Sequence, residues 1–349
     1  MTNTLPSAGC QHSETALRNP EPELTPLRGL LLLLVFLFLQ CVSAAQPPNP
    51  SSSTPAEEYT LTLNANMVLL SATVVDRHNA LVAGLNKDDF RIYEDGVPQP
   101  IQSFSHEDIP VTAGILVDNS QSMGPKRADV IAAAMAFARS SNPQDQMFVV
   151  NFSDYVSLGL PGNTPFTDSP EKLLLALSAI RSIGRTALYD GIAVGLNHLR
   201  QGNREKKVLI LLTDGGDTAS KLTLPQILAL ARQSSAIIYA IGIFDDQDED
   251  QNPTVLNRLA KETGGEAFFP ESSKELASIC ESIAHDIRNL YTLSYVPTIN
   301  DNAGAYHAIQ VKASAHGHYG LSVRTRAGYT VPSPPPPTAA KTIRHGVQP

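Results

Sequence analysis

The chain has 349 residues, enough for two domains or for one large domain with an addition. Hydrophobic residues make up 42% of it and charged residues 17%, the proportions of an ordinary globular protein. A formal net charge of −8, with no basic patch carrying interleaved aromatics, excludes a general nucleic-acid binder.

The N-terminal segment reads as a targeting signal. Arg28 precedes an apolar run from Leu30 to Leu39, which is too short for a comfortable transmembrane helix. Cys41-Val42-Ser43-Ala44-Ala45-Gln46 then offers small residues to a signal peptidase. Residues 1–45 are therefore expected to be a signal peptide cleaved after Ala45. The mature protein is expected to be secreted, or held in the periplasm or cell envelope. A membrane enters only if this segment stays uncleaved or if Cys41 carries a lipid, and Phe38-Leu39-Gln40 lacks the small residues that a lipidation signal places before its cysteine. The stretch before Arg28 is long and weakly basic, which also fits a later start of translation. After cleavage Cys280 is the remaining cysteine; alone it forms no internal disulfide, and its apolar helical surroundings mark it as a core residue.

Residues 46–58 are rich in Pro and Ser and read as a linker. Residues 59–107 have β-character. Tyr59-Thr60-Leu61-Thr62-Leu63 alternates polar and apolar, and Met67 to Val75 is rich in β-branched residues. Asp89-Phe90-Arg91-Ile92-Tyr93 alternates again, Glu94-Asp95-Gly96 is a turn signal, and a fourth strand is expected from Pro100 to Phe104.

From about residue 110 strand-like and helical runs alternate. Strands are expected at 113–117, 147–152, 208–213, 235–243 and 266–269, with an antiparallel edge from Tyr155 to Leu160. Helices are expected near 126–140, 170–181, 187–200, 224–234, 254–263 and 273–289. Strands such as Val208-Leu209-Ile210-Leu211-Leu212 are apolar throughout, as in a parallel sheet covered on both faces. The fold class is therefore α/β: a doubly wound, mostly parallel sheet, Rossmann-like, over 110–292. Strands are expected again from Leu290 to Val296, Tyr306 to Ala313 and Leu321 to Arg326. With the earlier ones, residues 293–330 would complete a small sandwich flanking the α/β unit, since either group alone is too small to bury a core. The Pro-rich tail, 331–349, is expected to be disordered.

Three loops fall at the carboxyl ends of strands or at a helix start, where ligands gather in such sheets. They are Asp118-Asn119-Ser120-Gln121-Ser122, Gly184-Arg185-Thr186-Ala187 and Thr213-Asp214-Gly215. An extended Asp-x-Ser-x-Ser segment aims a carboxylate and two hydroxyls the same way, a hard-oxygen set suited to a small divalent cation. Taken alone, Asp118 to Ser122 is equally a helix-capping loop.

The three motifs in this order resemble the von Willebrand factor A-type domain, over about 110–292. Gly84-Leu85, Asp89-Phe90 and Tyr93-Glu94-Asp95-Gly96 look like the segment preceding that domain in bacterial relatives, and Leu293-Ser294-Tyr295 and Arg326-Ala327-Gly328-Tyr329 look like their ending. The resemblance implies a metal-ion-dependent adhesion site with Asp118, Ser120, Ser122, Thr186 and Asp214 as ligands. It implies Mg²⁺, with Mn²⁺ able to substitute, and a protein partner whose Glu or Asp carboxylate fills the open position. Asn119 and Gln121 stand where the family often has Thr and Gly. Asp190 and Asp217 either orient a ligand or are surface charge.

The function expected is a non-enzymatic, adhesion-type binding module. A metal-assisted hydrolase and a scaffold with a vestigial metal site are the alternatives. No His-Glu-x-x-His, Gly-x-Ser-x-Gly or phosphate loop is present. The acidic run Asp245-Asp246-Gln247-Asp248-Glu249-Asp250 lacks the spacing of a calcium loop. His316-Gly317-His318 reads as a turn rather than a zinc site, and the glycosylation acceptor Asn151-Phe152-Ser153 overlaps an expected buried strand.

Overall fold

The computed structural model describes residues 67–179, 181–244, 251–298 and 303–331. The expected signal peptide with Cys41, the linker, the strand at 59–63, the acidic run at 245–250 and the tail beyond Val331 lie outside the described residues.

A six-stranded sheet forms the centre: β5 (Val111–Asp118), β6 (Gln146–Phe152), β7 (Val156–Leu158), β8 (Lys206–Thr213), β9 (Ala236–Gly242) and β10 (Ala267–Phe268), in the order β10-β9-β8-β5-β6-β7. All pairings are parallel except β6 with β7, the antiparallel edge. Every residue of β5 and β9 is buried, which is why these strands are apolar on both faces. Six helices cover the sheet: α1 (Arg127–Ser140), α2 (Pro170–Ser178), α3 (Leu188–Leu199), α4 (Leu224–Gln233), α5 (Pro253–Thr263) and α6 (Leu276–Arg288). One layer has α1 against α2 and α6; the other has α4 between α3 and α5. Reversing the direction of strand addition at β5 places the two layers on opposite faces, because such crossovers are right-handed.

The flanking segments build a sandwich. One sheet has the order β13-β1-β11-β4, from β1 (Val68–Val75), β4 (Ser103–Ser105), β11 (Tyr291–Tyr295) and β13 (Ser322–Arg324). The other has the order β14-β12-β2-β3, from β2 (Phe90–Glu94), β3 (Val97–Gln99), β12 (Tyr306–Ala313) and β14 (Gly328–Thr330). Each sheet takes strands from both sides of the α/β unit. Leu70, Val74, Phe90, Ile92, Tyr291, Leu293 and Val311 share one buried cluster, with the Phe90 and Tyr291 rings 5.1 Å apart. The expected strand from Pro100 to Phe104 is shorter than its pattern. Pro100 lacks an N–H, and the chain crosses there from β3 in one sheet to β4 in the other. Pro98 is tolerated in β3 because that strand is an edge.

Candidate metal centre

β5 and β8 are parallel neighbours in register from Val111 opposite Lys206 to Val117 opposite Leu212, so they end at one level. Asp118 closes β5 and Thr213 closes β8. Asp118 Oδ1 accepts from the Ser120 backbone N–H at 2.8 Å, and Oδ2 accepts from the Thr213 hydroxyl at 2.6 Å. Ser120 then begins a 3₁₀ turn, Gln121–Lys126, anchored by buried Met123. The Ser122 hydroxyl donates to Asp214 Oδ2 and lies 3.1 Å from the Ser120 hydroxyl. Asp118, Ser120 and Asp214 are buried, whereas Ser122 is exposed. The site thus presents an exposed serine over two interior carboxylates.

Burial, and after it the Asp214 carboxylate, pushes the Asp118 carboxyl up to about 7, against the lowering pull of Thr213 and Ser120. Two like charges held together out of water are stabilised by a cation. Carboxylates and hydroxyls are the hard-oxygen donors that a small divalent ion prefers, so these residues fit such an ion.

Thr186 arrives on a third loop. The Gln121 N–H donates to the Gly184 carbonyl at 3.0 Å, and the Ile183 N–H donates to the Asn119 carbonyl at 2.9 Å. The Thr186 N–H donates to the Thr218 hydroxyl at 3.0 Å, and its carbonyl accepts from the Thr218 and Ala219 N–H groups. Thr186 is buried, and its backbone ties it to the segment that follows the Asp214 loop. Gly184 and Gly215 have φ of 82° and 89°, which explains glycine in both motifs. The five expected residues therefore sit at one sheet edge, four joined through side-chain contacts and Thr186 through its loop.

Asp190 and Asp217 neither join the site nor serve only as surface charge. Asp190 accepts from the Lys221 and Leu222 N–H groups, both at 3.0 Å. Asp217 accepts from the Ser220 hydroxyl at 2.6 Å and the Tyr189 N–H at 3.3 Å. Together they clamp the start of α3 to the loop carrying Thr218, and so steady Thr186.

Sequence reading also missed the support beneath Asp118. Asn119 is buried; its amide donates to Asn151 Oδ1 at 2.9 Å, and its oxygen accepts from Arg127. Arg127 also donates to the Leu177 carbonyl at 2.9 Å, and Asn151 donates to the Ala176 carbonyl at 3.3 Å. Position 119 thus locks the loop to β6 and α2. Asn119 and Thr213 lay inside the quoted motifs and could have been suspected; Arg127, on the first turn of a helix, carried no local signal. The acceptor Asn151 is interior, with its amide engaged. Cys280 is buried, and burial pushes its thiol up to about 12. His316 and Gly317 form an exposed turn.

Residues 114–282 match the family model of the von Willebrand factor type A domain. Integrin alpha-X from Mus musculus is 28% identical over 180 residues, 49% of this chain. The chain spans only 13% of that relative's length. Among solved structures, a von Willebrand factor type A protein from Catenulispora acidiphila aligns with a TM-score of 0.46 at 14% identity, over 78% of this chain and 75% of its own. The vWF domain of the type V pili tip protein Mfa5 from Porphyromonas gingivalis aligns with a TM-score of 0.43 at 15% identity, over 52% of this chain and 95% of its own.

Proposed function

We propose, from the premise that residues 114–282 of this chain form a von Willebrand factor type A domain, that the protein is an exported, metal-dependent binding module and not an enzyme. The observation that carries this reading is the meeting of Asp118, Ser122 and Asp214 from two adjacent strand ends, with Ser122 open to solvent. Asp118, Ser120, Ser122, Thr186 and Asp214 would hold Mg²⁺, or Mn²⁺ in its place. When bound, the ion supplies an electrophilic docking point for a Glu or Asp carboxylate of a protein partner. The chain's own part is to hold the oxygens in place. Thr213 orients Asp118, Asn119 and Arg127 fix the loop, and Asp190 and Asp217 fix the segment beside Thr186. The likeness to an integrin alpha chain supports binding over catalysis.

Export rests on the apolar run and small residues before Ala45. Among the described residues no helix is long and apolar enough to cross a membrane. The test is capture from the envelope and medium of the producing cells, with and without EDTA, beside calorimetric titration with Mg²⁺. Saturable Mg²⁺ binding and EDTA-sensitive capture are expected. Capture that survives EDTA overturns the mechanism, and an absence of Mg²⁺ and Mn²⁺ binding makes the site vestigial.

A further inference from the structure

We propose that Glu94, Asp95 and His307 form a second divalent-cation site, which takes Zn²⁺ or a similar borderline ion in preference to Mg²⁺, in the β-sandwich and outside the von Willebrand factor type A domain.

The strand pattern points to it first. Along β12 the inward positions are His307, Ile309 and Val311; along β2 they are Phe90, Ile92 and Glu94. Four of these six are core hydrophobics. At the end of the same face stand an imidazole and a carboxylate, each side chain only 4% exposed. Burying both is costly unless something resolves their charge.

The geometry converges on one point. His307 Nδ1 lies 2.8 Å from Asp95 Oδ2 and 3.2 Å from Glu94 Oε1. One ligand atom from each residue falls within 4.8 Å of the others. Around an ion bonded tetrahedrally at about 2.0–2.2 Å, neighbouring ligand atoms are roughly 3.3–3.6 Å apart, so the three groups need open by only about half an ångström to admit one. Asp95 is pinned in place. It adopts φ 49° in the β2–β3 turn, donates its N–H to the Ala308 carbonyl at 2.9 Å, and accepts the Ala308 N–H on Oδ1 at 2.8 Å. Its Oδ2 is thereby aimed at His307.

An ion pair alone accounts for less of this. The single Nδ1 proton of an imidazolium cannot point at two carboxylates, so buried Glu94 or half-exposed Asp95 is left without it. A divalent cation on the Nδ1 lone pair neutralises both carboxylates. Glu94 Oε2 supplies an independent sign: it is buried with no hydrogen-bond partner. The Tyr295 hydroxyl lies beside Glu94, which, after burial, raises its phenol. Tyr329 completes the surroundings, donating its hydroxyl to Glu94 Oε1 at 3.2 Å and stacking on the His307 ring at 5.4 Å. Such outer contacts orient metal ligands.

One imidazole with two carboxylates suits Zn²⁺ or a similar borderline ion over Mg²⁺ or Ca²⁺, which take oxygen ligands. The ion would clasp residues 212 positions apart, joining the segments before and after the α/β unit.

The experiment is calorimetric titration of the full chain carrying Asp118→Ala, so that the other site is silent, with Zn²⁺ alone. One equivalent of Zn²⁺ and a raised melting temperature are expected. Affinity should fall at least tenfold on adding Asp95→Asn or His307→Gln, and Mg²⁺ should produce neither effect. No Zn²⁺ uptake overturns the proposal. So does uptake unchanged in both variants, which would belong to exposed His316 and His318, or Mg²⁺ binding as tight as Zn²⁺. Should His307→Gln fail to fold, Asp95→Asn decides, because that carboxylate is half exposed.

Discussion

Asp286 and Asp118 are both buried, 5% and 2% exposed, and burial is the main influence raising each carboxyl. Their neighbours differ. Asp286, on α6, accepts from the Thr73 hydroxyl of β1 at 2.9 Å and the Tyr239 hydroxyl of β9 at 2.7 Å, and pairs with Arg324 of β13 at 2.9 Å. Arg324 in turn pairs with Glu266. This cluster gives Asp286 a cation from within the chain and ties the sandwich to the central sheet. Asp118 instead faces the Asp214 carboxylate beneath an exposed serine. A buried carboxylate matched to a guanidinium and hydroxyls holds elements together. One set against a second carboxylate is stabilised by a positive charge from outside.

The contrast can be broken most visibly at Asp118. Asp118→Ala should abolish the rise in melting temperature that Mg²⁺ gives, while the urea midpoint of the EDTA-treated protein holds or rises, since the substitution removes a like-charge repulsion. A large fall in stability in EDTA would instead put Asp118 among the carboxylates that hold the fold. Asp286→Ala should do the converse. Removing one partner of a buried ion pair costs about 3–5 kcal/mol. Urea unfolding should show that loss while the Mg²⁺ response persists; an unchanged midpoint would mean that the junction does not depend on this cluster.

These two clusters were unequally legible in the sequence. Asp118, Ser120 and Ser122 lie within five residues, and Thr186 and Asp214 sit in short motifs, so local spacing revealed them. The central strands were legible because burial on both faces demands unbroken apolar runs, as in β8. Asp286 was invisible, since its partners Thr73 and Arg324 lie far along the chain in separate strands. The same holds for His307. Its inward place follows from alternation in β12, but its neighbours come from β2 and the turn after it. Asp190 and Asp217 were ambiguous because sequence does not say which way a carboxylate in a first helical turn or in a loop turns. β14 was missed because Gly328-Tyr329-Thr330 is too short to show a period.

A smaller effect sharpens the same contrast from the Asp286 side. Tyr239→Phe removes one hydroxyl donor from that carboxylate and leaves the ring in the core. A hydrogen bond to a charged group contributes about 1.5–3 kcal/mol, so unfolding in urea should show a loss of that size, below that of Asp286→Ala. A neutral result would assign Asp286's satisfaction to Arg324 and Thr73 alone.

The last effect, confined to a pH window, concerns a third interior carboxylate, at the opposite end of β5. Asp145 accepts the Val111 N–H at 2.7 Å where the strand begins, and burial pushes its carboxyl up to about 6. The unfolded chain sheds this proton near the ordinary aspartate value of about 4, lower than the folded protein does. Between the two values the unfolded state binds fewer protons, so stability falls as pH rises. Asp118, raised in the same direction, contributes a fall of the same sign that extends to about 7. The difference between wild type and Asp145→Asn therefore isolates the Asp145 part. Asparagine keeps an acceptor for Val111 and does not ionise, so urea midpoints taken in EDTA from pH 4 to 7 should fall less steeply in the variant, with the divergence complete by about pH 6. Parallel curves would mean that Asp145 ionises alike in both states, its burial offset by the backbone bonds and the Arg204 charge beside it.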